Sequence, residues 1–268
     1  VEVLVLSRSE KILTTLMKPI YVLYEKYLWS QIKDGKRPQH IAIIPDGNRR
    51  WAKKQGLEYF IGHRAGYERA QEVLQWIWDL DIRAATIYVL STENCLKRSE
   101  EEKENIFNLL SEAFVKLKTD RRIFDAKVKV RVIGNYDLIP DKVKKLAREL
   151  EEATSNHSER ILNIAVCYGG RHEILEAIKS IAIDYKKGKL EVEEINEQLV
   201  SNYLLTKDSP DPDLIIRTSG EERISNFLLW QSAYSELYFT DVYWPEFRKI
   251  DLWRAIRSFQ RRKRNFGS

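Results

Sequence analysis

Several short stretches of this sequence place polar residues in patterns that suit phosphate and a hard cation. In HIAIIPDGNRRWA an apolar run, residues 40–44, breaks into Asp46, Gly47, Asn48, Arg49 and Arg50. A carboxylate at the end of a buried strand suits Mg²⁺, which takes one or two carboxylates and fills its shell with water and phosphate oxygens. Gly47 lets the backbone approach a ligand closely, and the two arginines supply forked donors for phosphate. A DGN turn alone is commonplace; the arginines and the strand-end position raise it above that. GHRAG, residues 62–66, reads as the start of a helix running to residue 80. Free N–H groups there, beside His63 and Arg64, make a seat for an anion, with His63 as a plain helix cap the alternative.

A further apolar run leads into STEN, where Ser91 and Asn94 are neutral donors and acceptors, followed by Lys97, Arg98 and three glutamates, 100–102. The glutamates fit the ordinary preference of acidic residues for a helix N-terminus, and the polar stretch before them reads as a mobile lid. In DLIIRTSGEERISNFLLWQ, Arg217 and Arg223 flank a glycine-containing loop with Ser225 close behind, a second cluster of diphosphate size. Glu236 sits in AYSELYF among apolar neighbours. Burying it unpaired is costly, and sharing a cation with Asp46 would remove that cost. There is no thiol or hydroxyl nucleophile beside an activating base, no GxxxxGK[ST] loop and no GxGxxG after a strand, which disfavours nucleotide chemistry. Two anionic sites, one magnesium and ample apolar helix surface suit two diphosphates with apolar tails.

These residues need a scaffold that brings loops together. Strands are predicted over 40–44, 84–90, 127–133, 161–166 and 213–217, and helices over 63–80, 101–117, 141–154, 171–186 and 252–262. Such alternation predicts an α/β fold with a mainly parallel central sheet flanked by helices. Ligands then bind beyond the carboxyl ends of the strands, where the polar motifs fall. Upstream, residues 10–33 carry Ile12, Leu13, Leu16, Ile20, Leu23, Tyr24, Tyr27 and Leu28 at near-helical spacing, interrupted by Pro19. Packing on the domain and contact with lipid are both open readings of that segment. The division expected is an N-terminal helical extension, 1–36, and a catalytic domain, 37–268.

With 268 residues the chain can bury a core without disulfide or metal staples. Cys95 and Cys167, far apart and outside CxxC spacing, are expected to be reduced thiols in a cytoplasmic protein. His40, His63, His157 and His172 are too scattered to suggest zinc. No apolar stretch approaches the ~20 residues of a membrane span, and no cleavable signal is evident. The net charge of +5 does not call for a nucleic-acid partner. The basic run Arg261, Arg262, Lys263, Arg264 reads as a solvated helix end or as a contact for an anion.

HIAIIPDGNRRWA, GHRAG, STEN, IRTSGEERISNFLLWQ and ELYFTDVYWPEF, in this order and at these separations, resemble the cis-prenyltransferase family, which contains the undecaprenyl and dehydrodolichyl diphosphate synthases. The resemblance spans about residues 38 to 267 and is of archaeal/eukaryotic type. It implies a Mg²⁺-dependent transferase that adds isopentenyl diphosphate units in Z configuration to an allylic primer, farnesyl or geranylgeranyl diphosphate. The product would be a long-chain polyprenyl diphosphate, precursor of a glycosyl carrier lipid. It also implies a homodimer and an apolar tunnel for the growing chain, walled by the helices over 63–80 and 101–117. By the same resemblance Asp46 and Glu236 are the metal ligands, and Asp46, Ser91 and Asn94 the catalytic set. Gly47, Asn48, Arg50 and His63 form the allylic diphosphate cradle, with Arg49 and Trp51 beside it. Arg217, Arg223 and Ser225 receive isopentenyl diphosphate, and a further family arginine falls on Lys97 or Arg98. Departures are Arg49 for glycine, Tyr59 for arginine, Cys95 for an aromatic residue, Glu222 for histidine and Ser219 for glycine. At the C-terminus Asn265 stands where an arginine often lies, leaving Arg264 or Arg262 to serve.

Overall fold

The computed structural model describes residues 8–262, with side chains from Pro19 onward. The chain divides into two compact units, one formed by residues 38–247 and one by both ends of the described chain.

The end unit pairs α1 (Arg8–Ile32) with α10, the helix that closes the described chain. Helix α1 runs through Pro19, so the proline that disturbs the sequence pattern does not end the helix. Trp29 stacks against Trp253, ring centroids 5.6 Å apart, and Tyr24 lies under the Arg254 guanidinium. Gly35 has no room for a Cβ, which would fall 2.5 Å from the Gln260 side chain; that side chain donates to the carbonyls of Ile32 and Lys36. Ile20, Leu23 and Tyr27 on α1 face outward.

The larger unit runs β1 (His40–Ile44), α2 (Asn48–Lys54), α3 (Tyr59–Asp79), β2 (Ala84–Tyr88), α4 (Thr92–Lys97), α5 (Glu100–Leu117), α6 (Arg121–Asp125) and β3 (Val128–Ile133). It continues with α7 (Asp141–Ala153), β4 (Arg160–Ala165), α8 (Gly170–Lys186), α9 (Glu197–Tyr203), β5 (Leu214–Arg217) and β6 (Glu236–Phe239). The closing helix α10 (Lys249–Arg261) then joins the end unit. Five strands stand where the sequence predicts them; β6 is additional. All six pair in parallel in the order β3-β4-β2-β1-β5-β6. Because β2 and β5 flank β1 on opposite sides, the connections diverge there, and the loops after β1, β2 and β5 open onto one crevice.

Register assigns each face its task. Ala42, Ile44, Tyr88, Ala165, Ile133 and Ile215 form one apolar layer, closed by Tyr168, Phe227 and Leu228 from the loops. At the other end of that face His40 Nε2 meets Thr86 Oγ1 at 2.8 Å, Asn163 donates to the same hydroxyl, and His40 Nδ1 meets the Pro210 carbonyl at 2.7 Å. The opposite face, through Ile87, Leu162 and Ile164, lies against α3 and α5 and borders the cavity described next.

Candidate active site

Asp46 follows β1 directly. Its Oδ2 accepts from Arg217 Nη2 at 2.9 Å and its Oδ1 from the Gly47 N–H at 2.7 Å, with Arg50 Nη2 3.4 Å from Oδ1. Partial burial works against ionisation, but the Arg217 hydrogen bond and the charges of Arg217 and Arg50 outweigh it and hold the carboxyl below its ordinary pKa. Gly47 takes φ +101°, and a Cβ there would fall 2.7 Å from Tyr243 and 2.8 Å from Ser219, so this turn admits glycine alone.

The sequence reading of GHRAG needs correction. Helix α3 begins at Tyr59, so Gly62 and Gly66 lie inside it and their N–H groups are not free. Their function is spatial: a Cβ at Gly62 would fall 2.3 Å from the Asn48 carbonyl, and one at Gly66 2.4 Å from Asn48 Oδ1. The two glycines are the groove that lets the Asp46–Asn48 turn press onto α3. Trp244 Nε1 donates to the Gly66 carbonyl at 2.8 Å and completes the seam. Arg64 points away from the site into a two-pronged bond with Glu112.

Arg217 is buried at the end of β5 and donates to Ser225 Oγ at 2.6 Å and to the Arg223 carbonyl. Arg50 reaches the loop after β5, where it meets Ser219 Oγ at 2.5 Å and Glu221 at 3.1 Å; Glu221 also holds Arg223 at 2.6 Å. Arg49, by contrast, turns toward α5. There Glu102, buried in the first turn, gathers Arg98 at 3.0 Å, Arg49 at 3.4 Å and His63 at 3.5 Å. His63 Nδ1 faces the Asn105 amide at 3.2 Å. Burial first, then the charges of Arg98 and Arg49, lower the His63 pKa to about 4, so the ring is neutral at pH 7. Ser91 caps α4 by accepting from the Asn94 N–H at 3.1 Å.

Two expected members stand elsewhere. Trp51 is buried with its Nε1 donating to Glu246 at 3.2 Å and does not line the cavity. Glu236 begins β6 opposite Leu214, level with Ile41, about 10 Å below the strand ends where Asp46 sits. Within one chain the two carboxylates therefore cannot share a cation; the parallel register separates them. Among the described residues no cluster of three or more acidic, histidine or cysteine side chains is placed to hold a metal. Asp46 alone still fits Mg²⁺, because one ionised carboxylate leaves the rest of the shell to phosphate oxygens and water. The cysteines also differ from expectation: Cys95 on α4 and Cys167 after β4 form a disulfide, with Cα atoms 5.5 Å apart. Neighbouring strands bring their loops together although 72 residues separate the two in sequence.

Asp46, Gly47, Asn48, Arg49, Arg50, His63, Ser91, Asn94, Arg98, Arg217, Arg223 and Ser225 all line one cavity of about 1060 Å³. From this polar head it continues between α3 and α5, over Ala70, Leu74, Ile106, Leu109, Leu110 and Ala113, toward Trp78 and Ile123. His63 meets Asn105 and Gln71 meets Lys116, so the two helices run side by side in the same direction. From His63 to Trp78 the bore is about 22 Å long. Of the residues around the head, sequence reading missed Glu102, Glu221, Glu93 and Asn226. The i, i+4 spacing of Arg98 and Glu102 was the signal available for the first.

A profile of the family described as "Putative undecaprenyl diphosphate synthase" matches residues 44–267. A tritrans,polycis-undecaprenyl-diphosphate synthase (geranylgeranyl-diphosphate specific) from Methanopyrus kandleri is 53% identical over 94% of this chain and 92% of its own length. Its counterpart from Sulfolobus acidocaldarius is 51% identical over 97% and 99%. Among solved structures, lavandulyl diphosphate synthase from Lavandula x intermedia, in complex with dimethylallyl diphosphate, superimposes with a TM-score of 0.82 at 32% identity, covering 87% of this chain and 99% of the other. A probable undecaprenyl diphosphate synthase from Campylobacter jejuni gives 0.70 at 31% identity, covering 87% and 100%.

Proposed function

Since the chain belongs to the prenyltransferase family of the undecaprenyl diphosphate synthases, we propose that it lengthens geranylgeranyl diphosphate by successive cis additions of isopentenyl diphosphate to an undecaprenyl-length product. The observation that carries this reading is one cavity with an arginine- and carboxylate-lined head opening into an apolar bore. The primer and product follow those of the geranylgeranyl-diphosphate-specific relatives about half identical to this chain.

In this reading the primer's tail lies between α3 and α5 and its diphosphate rests on the Asp46–Arg50 turn and His63. Isopentenyl diphosphate takes Arg217, Arg223 and Ser225. Asp46 would hold Mg²⁺, which when bound offsets charge on the departing diphosphate. The arginines hold the leaving group and orient the second diphosphate, so that the isopentenyl double bond faces the allylic carbon as its C–O bond breaks. A proton then passes from the carbon beside the new bond to the released diphosphate, with Ser91 and Asn94 positioning the groups involved. Neutral His63 donates or accepts a hydrogen bond without adding charge. A homodimer is part of the proposal, supported by the family resemblance and checked by light scattering. Contact with lipid through the outward Ile20, Leu23 and Tyr27 of α1 is a further part; among the described residues no helix is long and apolar enough to cross a membrane.

The test is incubation with labelled isopentenyl diphosphate and primers of ten to twenty carbons, followed by product sizing. Turnover should require Mg²⁺, stop with chelator, and fall by roughly a thousandfold or more in Asp46→Ala. Normal turnover in a folded Asp46→Ala protein would sink the assignment.

A further inference from the structure

Asn226 stands in the loop that carries Arg223 and Ser225, in a run of left-handed residues: Ser225 at φ +49°, Asn226 at +63° and Leu228 at +44°. It is turned to serve another element. Helix α8 is entered through Gly169 at its N-cap, which has no side chain to cap it. Asn226 does so from outside: its backbone carbonyl accepts from Gly170 N–H at 2.7 Å and its Oδ1 from Arg171 N–H at 2.9 Å. A Cβ on Gly169 would fall 2.8 Å from both Asn226 Nδ2 and Thr92 Oγ1, so the three segments meet with no space to spare.

Because a backbone N–H fixes Oδ1 as the acceptor, the remaining amide atom, Nδ2, must be the donor. It donates to Glu93 Oε1 at 2.8 Å, across 133 residues of sequence. Partial burial raises the Glu93 pKa, but hydrogen bonds from its own N–H, Asn226 and Ser91 outweigh this and keep the carboxylate ionised. Glu93 lies between Ser91 and Asn94 in the first turn of α4. Thr92 anchors that turn, its N–H donating to the Tyr168 carbonyl and its hydroxyl to that of Cys167.

We propose that the Glu93–Asn226 hydrogen bond is a positioning link that sets the capped start of α4, with Ser91 and Asn94, against the loop of Arg223 and Ser225, fixing the two substrate halves relative to each other. The inference rests on the function proposed above. Neither residue acts on substrate; each acts through the segment that carries it. When reacting atoms must meet within a fraction of an ångström, an error of about 1 Å costs on the order of a hundredfold.

The two partners can exchange chemistry. Asn226→Asp keeps the cap on α8, since a carboxylate oxygen accepts from Arg171 N–H, but it sets one carboxylate against another. Adding Glu93→Gln restores a hydrogen bond with donor and acceptor reversed and the wild-type net charge. Expected are a roughly hundredfold loss of kcat in Asn226→Asp with the primer KM little changed, near-normal turnover in Glu93→Gln, and recovery in the double variant. Amide exchange over residues 91–98 and 217–228 should rise in Asn226→Asp and return in the double variant. That readout decides the link even if no prenyl transfer is found, while wild-type turnover alone decides the function. Failure of the double variant to recover either readout overturns the proposal. So does a loss in Glu93→Gln as large as in Glu93→Ala, which would place the Glu93 charge on substrate.

Discussion

Glu102 lies buried beneath Arg49, Arg98 and His63, and its charge is what allows the two arginines to share an apolar-walled cavity beside a neutral imidazole. Arg98 is itself largely buried, and a buried cation left without its counterion costs about 3 kcal/mol or more. Glu102→Gln should therefore lower the unfolding free energy by about 3 kcal/mol, measured by urea titration at pH 7. A change under about 0.5 kcal/mol would show the group to be solvated and the pairing ornamental. In sequence this residue is one of three consecutive glutamates, all equally suited to a helix start. Only the rotation of α5 distinguishes it from exposed Glu100 and Glu101. Asp46 and Arg217 were legible because a polar residue that ends an apolar strand falls at the carboxyl edge of a parallel sheet, where ligands bind. Glu236 misled because its motif is specific while its register, set by pairing with β5, cannot be read from the chain.

The turn of Asp46–Asn48 and helix α3 are two elements locked by the absence of two side chains. Gly62→Ala would set a methyl group 2.3 Å from the Asn48 backbone carbonyl, which the turn can relieve only by lifting from the helix. Such overpacking costs about 1–3 kcal/mol, less than the fold's stability but enough to displace Asp46. The expected outcome is a folded protein by circular dichroism with turnover down at least tenfold. Unaltered turnover would mean that the turn shifts without moving its carboxylate. Helix α5 carries its own test. Ala113 is buried and lines the bore with Ile106 and Leu110, so Ala113→Leu should shorten the products while leaving the first condensation at its normal rate. Chromatography of the chain lengths decides this, and an unchanged distribution in an active variant would take the growing chain off that wall. The long helices were legible because their apolar periodicity survives in sequence. Helices α2, α4 and α6, five to seven residues each, lack the length to show a period, and β6 hides in a run of aromatic residues that fits several structures.

At the scale of the whole chain, acid stability follows from histidines folded in their neutral form. Burial lowers the His40 pKa to about 4, against smaller opposing effects of the Pro210 hydrogen bond and Asp213. Between that value and 6.5 the unfolded chain binds more protons than the folded one, so stability is full above this window and falls as the pH drops through it. From pH 7.5 to 5 His40 should account for a loss of about 2 kcal/mol. Unfolding measured at the two pH values should show His40→Gln losing about that much less than wild type, and an equal loss would mean the imidazole is reached by water. The charged head of the cavity has a different consequence. Arg217 rests on Asp46, Arg98 on Glu102, and Arg50 and Arg223 on Glu221. The arginines outnumber these carboxylates but each already rests on one, so an arriving diphosphate does not meet bare cations but competes with a resident carboxylate for them. Recognition becomes ion exchange: a monovalent anion that cannot displace the carboxylates stays out, and each entry of substrate sets a carboxylate free to move.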